Sequence, residues 1–175
     1  MTPLGVWPFM ESTGPHSFGK SGTYSMNRPL GSTPLPPAMD LRAPDGSEIR
    51  LLTATSRGSM VHCTLPPGGV FQAMRHRTVE EVWHFLAGRG EVWRRLEGQE
   101  EVTPVAPGIS LAIPLGANFQ IRNPGAEPLV FLIVTMPPWP GEREAEPVRG
   151  PWQENLRPEN LRPGKFRPGS PRLLE

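Results

Sequence analysis

The sequence has a single cysteine, Cys63, and a single tyrosine in 175 residues. A lone cysteine forbids an intrachain disulfide, so a disulfide-stapled scaffold is excluded. Cys63 reads as a small buried hydrophobe and not a nucleophile. Neither sign of charge is in excess, since 18 Lys and Arg stand against 17 Asp and Glu, a net of +1. Without a one-sided field nothing gathers nucleic acid or an anionic membrane, and neither is an expected partner. Long apolar runs are missing too. The longest, residues 129–136, falls far short of the ~20 that span a bilayer. The opening stretch MTPLGVWPFMESTGP lacks the basic segment that precedes the apolar core of a secretory signal, so a cytoplasmic location is expected. No window carries the 3.6-residue apolar period of a helix.

Proline and glycine are abundant, at 24 and 19. Proline removes a ladder donor and fixes φ, so dense proline opposes helix and interior strand alike. Residues 1–44 hold eight prolines and residues 137–175 nine, against seven in the longer stretch between. That contrast divides the chain into a disordered or loosely draped tail over 1–38, a folded body over 39–140, and a Pro/Arg-rich extension over 141–175. The extension repeats Leu156-Arg157-Pro158, Leu161-Arg162-Pro163 and Phe166-Arg167-Pro168, a pattern that proline keeps extended. Trp139 and Trp152 are expected to pin the start of it onto the body.

The body consists of short runs rich in Val, Ile, Leu, Phe and Trp at 49–55, 59–65, 70–76, 80–86, 91–96, 101–105, 109–114, 118–123 and 129–136. Pro-Gly, Gly-Gly and Asn-Pro-Gly turn signals separate them. Many short strands at close spacing argue for an all-β sandwich or barrel. The run 129–136 is apolar almost throughout and reads as buried on both faces. The run 91–96 sets Trp93 among charges and reads as half-exposed.

Reading 70–76 as one strand, period two puts Val70, Gln72, Met74 and His76 on one face. In the next strand Glu81, Trp83 and Phe85 share a face, with Glu80 and His84 opposite. If both faces line one interior, His76 and Glu81 meet across a short turn. A carboxylate among aromatic side chains is expensive unless it is paired, and an imidazole beside it makes half of a metal site.

The same residues resemble the two motifs of the cupin superfamily. Gly68, five residues, Met74-Arg75-His76, four residues, Glu81, six residues and Gly88 match the first, in which His-x-His fills the central slot. Gly108, five residues, Pro114-Leu115-Gly116, two residues, Phe119, three residues and Asn123 match the second, in which a histidine stands where Phe119 does. The resemblance covers roughly residues 45–136. It implies a cupin-type double-stranded β-helix, a jelly-roll barrel, flanked by irregular tails. Metal-binding members usually supply three histidines and one glutamate. Carried over residue by residue, His76 and Glu81 are kept, while Met74 and Phe119 replace the other two.

A thioether is a soft ligand and a phenyl ring is none, so tight binding of a divalent transition metal is not expected. A third ligand would have to come from Asn118 or His62. The expected function is therefore that of a small cupin binding a small polar molecule in the barrel. His76 and Glu81 would hold the molecule, and Gln72, Met74, Trp83, Phe85 and Phe119 would line the pocket. The alternatives are a metal-free isomerase or epimerase using His76 and Glu81 as base and orienter, or a non-catalytic dimeric binding module. A core this small gains from pairing, so a homodimer is expected.

Overall fold

The computed structural model describes residues 17–18, 22–23, 30–43, 47–141 and 143–156. Most of the 1–38 tail, and the repeats beyond Leu156, lie outside the described residues. The strands are β1 (Ser17–Phe18), β2 (Gly22–Thr23), β3 (Leu41–Arg42), β4 (Glu48–Ala54), β5 (Ser59–Leu65), β6 (Met74–His76), β7 (Glu80–Ala87), β8 (Gly90–Leu96), β9 (Gln99–Val105), β10 (Ser110–Ile113), β11 (Asn118–Arg122), β12 (Leu129–Met136) and β13 (Ala145–Pro147). β1 and β2 pair only with each other. The rest form a six-stranded sheet in the order β10-β7-β12-β5-β4-β3 and a five-stranded sheet in the order β13-β6-β11-β8-β9. All pairings are antiparallel. Each of the nine apolar runs supplies one of the strands β4 to β12.

From β5 onward the chain passes between the sheets at almost every connection, which rolls them face to face. The exception is the β8–β9 hairpin, where Glu97 and Gly98 both take positive φ, the geometry that suits a two-residue hairpin turn. Crossings need turns as tight as the one at Gly88, whose φ is +76°. A Cβ there would sit 2.3 Å from the Pro128 carbonyl oxygen, so only glycine fits between β7 and β8.

Alternation decides which side chains fill the roll. β7 buries Glu81, Trp83 and Phe85 and exposes Glu80, Val82, His84 and Leu86. β12 buries Leu129, Phe131, Ile133 and Thr135. Its other face is half-buried, so the run is not buried on both sides. Within the roll Trp83 meets Phe119, Phe131 and Phe85 at centroid separations of 5.6, 5.1 and 6.4 Å, and Phe85 meets Phe131 at 5.0 Å. Cys63 is buried beside them.

One local expectation is corrected. Residues 70–76 are not one strand, because only Met74–His76 is in a ladder. Val70 makes an isolated bridge to Arg122. Between them the Phe71 carbonyl accepts from Gln120 Nε2 at 2.8 Å, and the Ala73 carbonyl accepts from Val148 N–H at 2.9 Å. Phe71 thereby enters the core and Gln72 is left half-buried, off the face shared by Met74 and His76. The run 91–96 is half-exposed as expected, but Trp93 within it is 2% exposed. It stands on the outer face of the five-stranded sheet, where residues 148–156 lie across it as a strap. Gln120 clamps that strap, donating to the Trp152 carbonyl at 2.9 Å and accepting from Trp152 N–H at 3.0 Å. Asn155 completes the fastening through its side chain, which accepts from Val70 N–H at 2.9 Å and donates to the Gly68 carbonyl at 2.8 Å.

Candidate functional site

One end of the roll gathers a cluster of buried polar side chains. Register puts Ile113, Glu81, Thr135 and Ser59 in one row across the six-stranded sheet. His76 stands at the end of β6, one short turn before Glu81. Ser59, His76, Glu81 and Thr135 are all buried, His76 and Glu81 at 5% exposure each. The sequence brings them together because β6 and β7 belong to different sheets and the turn 77–79 joins them at this end.

The Glu81 carboxylate accepts from Trp83 Nε1 at 2.7 Å and from Thr135 Oγ1 at 3.1 Å. Indole and hydroxyl donors thus supply what water would have given, and an acid is tolerated in the core. His76 is boxed by aromatic rings. Phe119 lies edge-on at 4.9 Å and Trp139 edge-on at 5.2 Å. Trp139 comes from the segment after β12, and its N–H donates to Ser59 Oγ at 3.3 Å, so this segment closes over the end of the roll. His76 Nδ1 is buried with no hydrogen-bond partner among the described residues. Burial pushes the His76 pKa down to about 4, and the Glu144 carboxylate opposes that only in part. The imidazole is therefore neutral at pH 7.

Glu144 is the residue that sequence reading missed. It is buried, and its carboxylate caps the turn 77–79 by accepting from Thr78 N–H at 2.6 Å, Thr78 Oγ1 at 2.7 Å and Val79 N–H at 2.9 Å. Burial alone would raise its pKa; those three bonds and the neighbouring His76 outweigh burial and hold it below the usual carboxylate range. Glu144 is thus an acid whose charge His76 feels, and Glu81 is engaged by Trp83 and Thr135. Nothing local marks Glu144 in the sequence, because its partners are 65 and 66 positions away.

The other expected site residues divide by face. Met74, Trp83, Phe85 and Phe119 are buried in the roll, and Met74 and Phe119 are direct cross-strand neighbours. Both candidate third ligands point elsewhere. Asn118 alternates with inward Phe119 and Ile121 in a β11 ladder that pairs without a slip. His62 alternates with inward Cys63 and pairs with Arg50 and Leu132. Each therefore sits on the outside of its sheet.

The donor set does not fit a tightly held divalent metal. Of the four positions the motifs define, one holds a thioether and one a phenyl ring, and the carboxylate at the third already accepts two hydrogen bonds. Among the described residues no group of three or more His, Cys, Asp or Glu could hold a metal ion. What the arrangement offers is a neutral imidazole with an unmet nitrogen, a fixed acid and two hydroxyls at the end of an aromatic interior.

The fold is a two-sheet antiparallel roll with a buried histidine and a buried glutamate at one end. Residues 61–135 match the family described as Cupin domain. A stretch of 92 residues, 53% of the chain, is 32% identical to mannose-1-phosphate guanylyltransferase from Klebsiella pneumoniae. The enzyme of that name from Escherichia coli is equally similar. The chain spans only 19% of the length of these curated relatives. A variant of oxalate decarboxylase from B. subtilis superposes with a TM-score of 0.58 at 19% identity, over 67% of this chain and 32% of that one. An uncharacterized protein with a double-stranded β-helix domain from Klebsiella pneumoniae gives 0.51 at 18% identity, over 63% and 90%. At such identities the likeness is one of fold. No helix among the described residues is long and apolar enough to cross a membrane.

Proposed function

We propose that the protein is a binding cupin that takes a small, hydroxyl-bearing molecule at the Trp139 end of the roll, without a tightly bound metal. The observation that carries this reading is the unmet Nδ1 of His76 in a buried site. A buried polar atom without a partner costs about 1–3 kcal/mol, and a ligand hydroxyl would recover that. Ser59, Thr135 and Glu81 add further polar groups at the same end, and Trp83 and Phe119 supply apolar walls, the usual make-up of a small-molecule site. Trp139 covers the site, so entry requires the segment around it to lift. The curated relatives are named for a sugar phosphate, which makes hexoses and their phosphates, with hydroxy acids, the first panel to screen.

The test is a thermal-shift and calorimetric screen of that panel, with a chelator present. The expected result is a ligand that raises the melting temperature of the wild type and binds His76→Phe at least tenfold more weakly. A ligand bound equally by both proteins, or one whose binding vanishes with chelator, overturns the reading.

Binding in this form does not require turnover, and the chain is proposed to act as a homodimer. The outer face of the six-stranded sheet leaves Val82 and Leu86 each 42% exposed, beside the half-buried Val130, Leu132 and Val134. Contiguous apolar surface of this kind favours association. Sedimentation equilibrium at micromolar concentration is expected to give twice the 19.3 kDa chain mass. A single-chain mass contradicts the dimer.

A further inference from the structure

We propose a second, independent binding site for a small phosphoryl anion on the outer face of the five-stranded sheet. There a groove of about 220 Å³ is lined by Trp93, Arg95, Glu100, Arg149, Gly150 and Pro151. It forms where the strap 148–156 crosses β8 and β9.

The charges around this sheet are mostly matched. Arg75 and Arg77 both pair with Glu146, and Arg122 pairs with Glu91 while stacking on Trp152. Arg94 pairs with Glu101. Arg95 and Arg149 differ: neither has a carboxylate partner among the described residues, and both line the one groove. Both are exposed, and Glu100, the cross-strand neighbour of Arg95, is the one carboxylate that lines the groove with them, so the lining carries a net positive charge.

The groove is held by fixed parts. Its floor is the buried Trp93 indole, locked by a 2.8 Å hydrogen bond from Nε1 to Glu100 Oε1. Arg95 lies 5.4 Å from the centroid of that ring. Stacking on an indole uses the face of a guanidinium and leaves its N–H edge for hydrogen bonding. On the other wall the backbone at Arg149 is pinned from both sides, by Val148 N–H to the Ala73 carbonyl and by the Gln120 clamp on Trp152. Gly150 fits because a Cβ there would meet Gln120 Oε1 at 2.3 Å. The two arginines therefore approach one space from separate, rigid elements.

Ligand class follows from that layout. Two guanidinium groups at one groove suit a small anion rich in acceptor oxygens, and a phosphoryl group offers more of them than a carboxylate's two. The exposed Glu100 carboxylate, already bonded through one oxygen, excludes a bare dense anion close to it and suits a protonated oxygen or hydroxyl on the ligand.

The experiment is a titration of the full chain with inorganic phosphate in low-salt buffer, following the indole N–H resonances of the tryptophans. The Trp93 indole is expected to shift with saturation at roughly millimolar phosphate, while the Trp139 indole at the roll's end does not move. Arg95→Gln and Arg149→Gln are each expected to weaken the response at least tenfold, and the exposed Arg57→Gln to leave it unchanged. Melting temperatures equal to wild type show that both groove variants are folded. The proposal is overturned if Trp93 does not respond, if chloride or acetate at the same ionic strength reproduces the shift, or if Arg57→Gln weakens it as much as the groove variants.

Discussion

Lowering the pH from 7 to 4 should cost the protein about 3 kcal/mol of stability through His76 alone, and His76→Phe should remove that cost. The folded imidazole takes its proton at about 4, against an ordinary value of 6.5. Between those values the unfolded chain holds the extra proton and the folded one does not. Stability from this group is therefore complete above pH 6.5 and drains away as pH falls toward 4, by about 1.4 kcal/mol for each pH unit crossed. In melting temperature this amounts to roughly 10 °C for a domain of this size. His62, also lowered by burial and by Arg50, adds in the same direction. Glu144 is held low, so its contribution is present above its ordinary 4.5 and is lost as pH falls through the carboxylate range, starting at the acid end of that window.

His76→Phe keeps the aromatic packing against Phe119 and Trp139 and deletes the titrating group. The gap in stability between variant and wild type should thus open in favour of the variant as acid is added. Glu144→Gln removes a charge that favours protonated His76, so it should move the lower bound of the window to still lower pH. Denaturant unfolding at several pH values measures all three proteins. Parallel curves for wild type and His76→Phe would show that His76 is solvated and not boxed.

The second large effect comes from putting back what the motifs lack. Met74 and Phe119 face each other across the β6–β11 ladder, and the Phe119 ring already lies 4.9 Å from the His76 ring. Met74→His combined with Phe119→His would gather three imidazoles and Glu81 at one end of the roll, the donor set of a complete site. Zinc or nickel affinity should rise by roughly 100-fold or more, and saturating metal should raise the melting temperature of the double variant but not of the wild type. Without metal the variant should be less stable by about 1–3 kcal/mol, because a polar ring replaces phenyl in an apolar core. The single variants should each gain much less. Isothermal titration checks the affinities. No gain in the double variant would mean that these side chains do not converge on His76.

Much of this was legible in the sequence because strand architecture is local. The alternation Glu81, Trp83, Phe85 against Glu80, His84 follows from period two alone, and the turn signals bracket nine strands at nearly their observed bounds. What stayed hidden depends on residues distant in the chain. The 70–76 run looks continuous until Gln120 and Val148 take the carbonyls that a ladder would have used. Trp93 looks exposed until residues 149–151 lie over it. Glu144 has no signature of its own, since its role is to cap a turn more than 60 positions earlier. The motif spacing picked out Met74, His76, Glu81 and Phe119, and all four are buried. Their chemistry is set by Met74 and Phe119, and an acid acting on the surviving histidine comes from a segment that the motifs do not include.

The site turns on one property: His76 is a neutral, buried histidine enclosed by aromatic rings where a metal-binding cupin would place a ligand. A ¹⁵N titration of its imidazole in the full chain tests this most directly. The expected result is a single neutral tautomer from pH 8 down to about 5, with protonation only near 4. Protonation at or above 6.5 would contradict it.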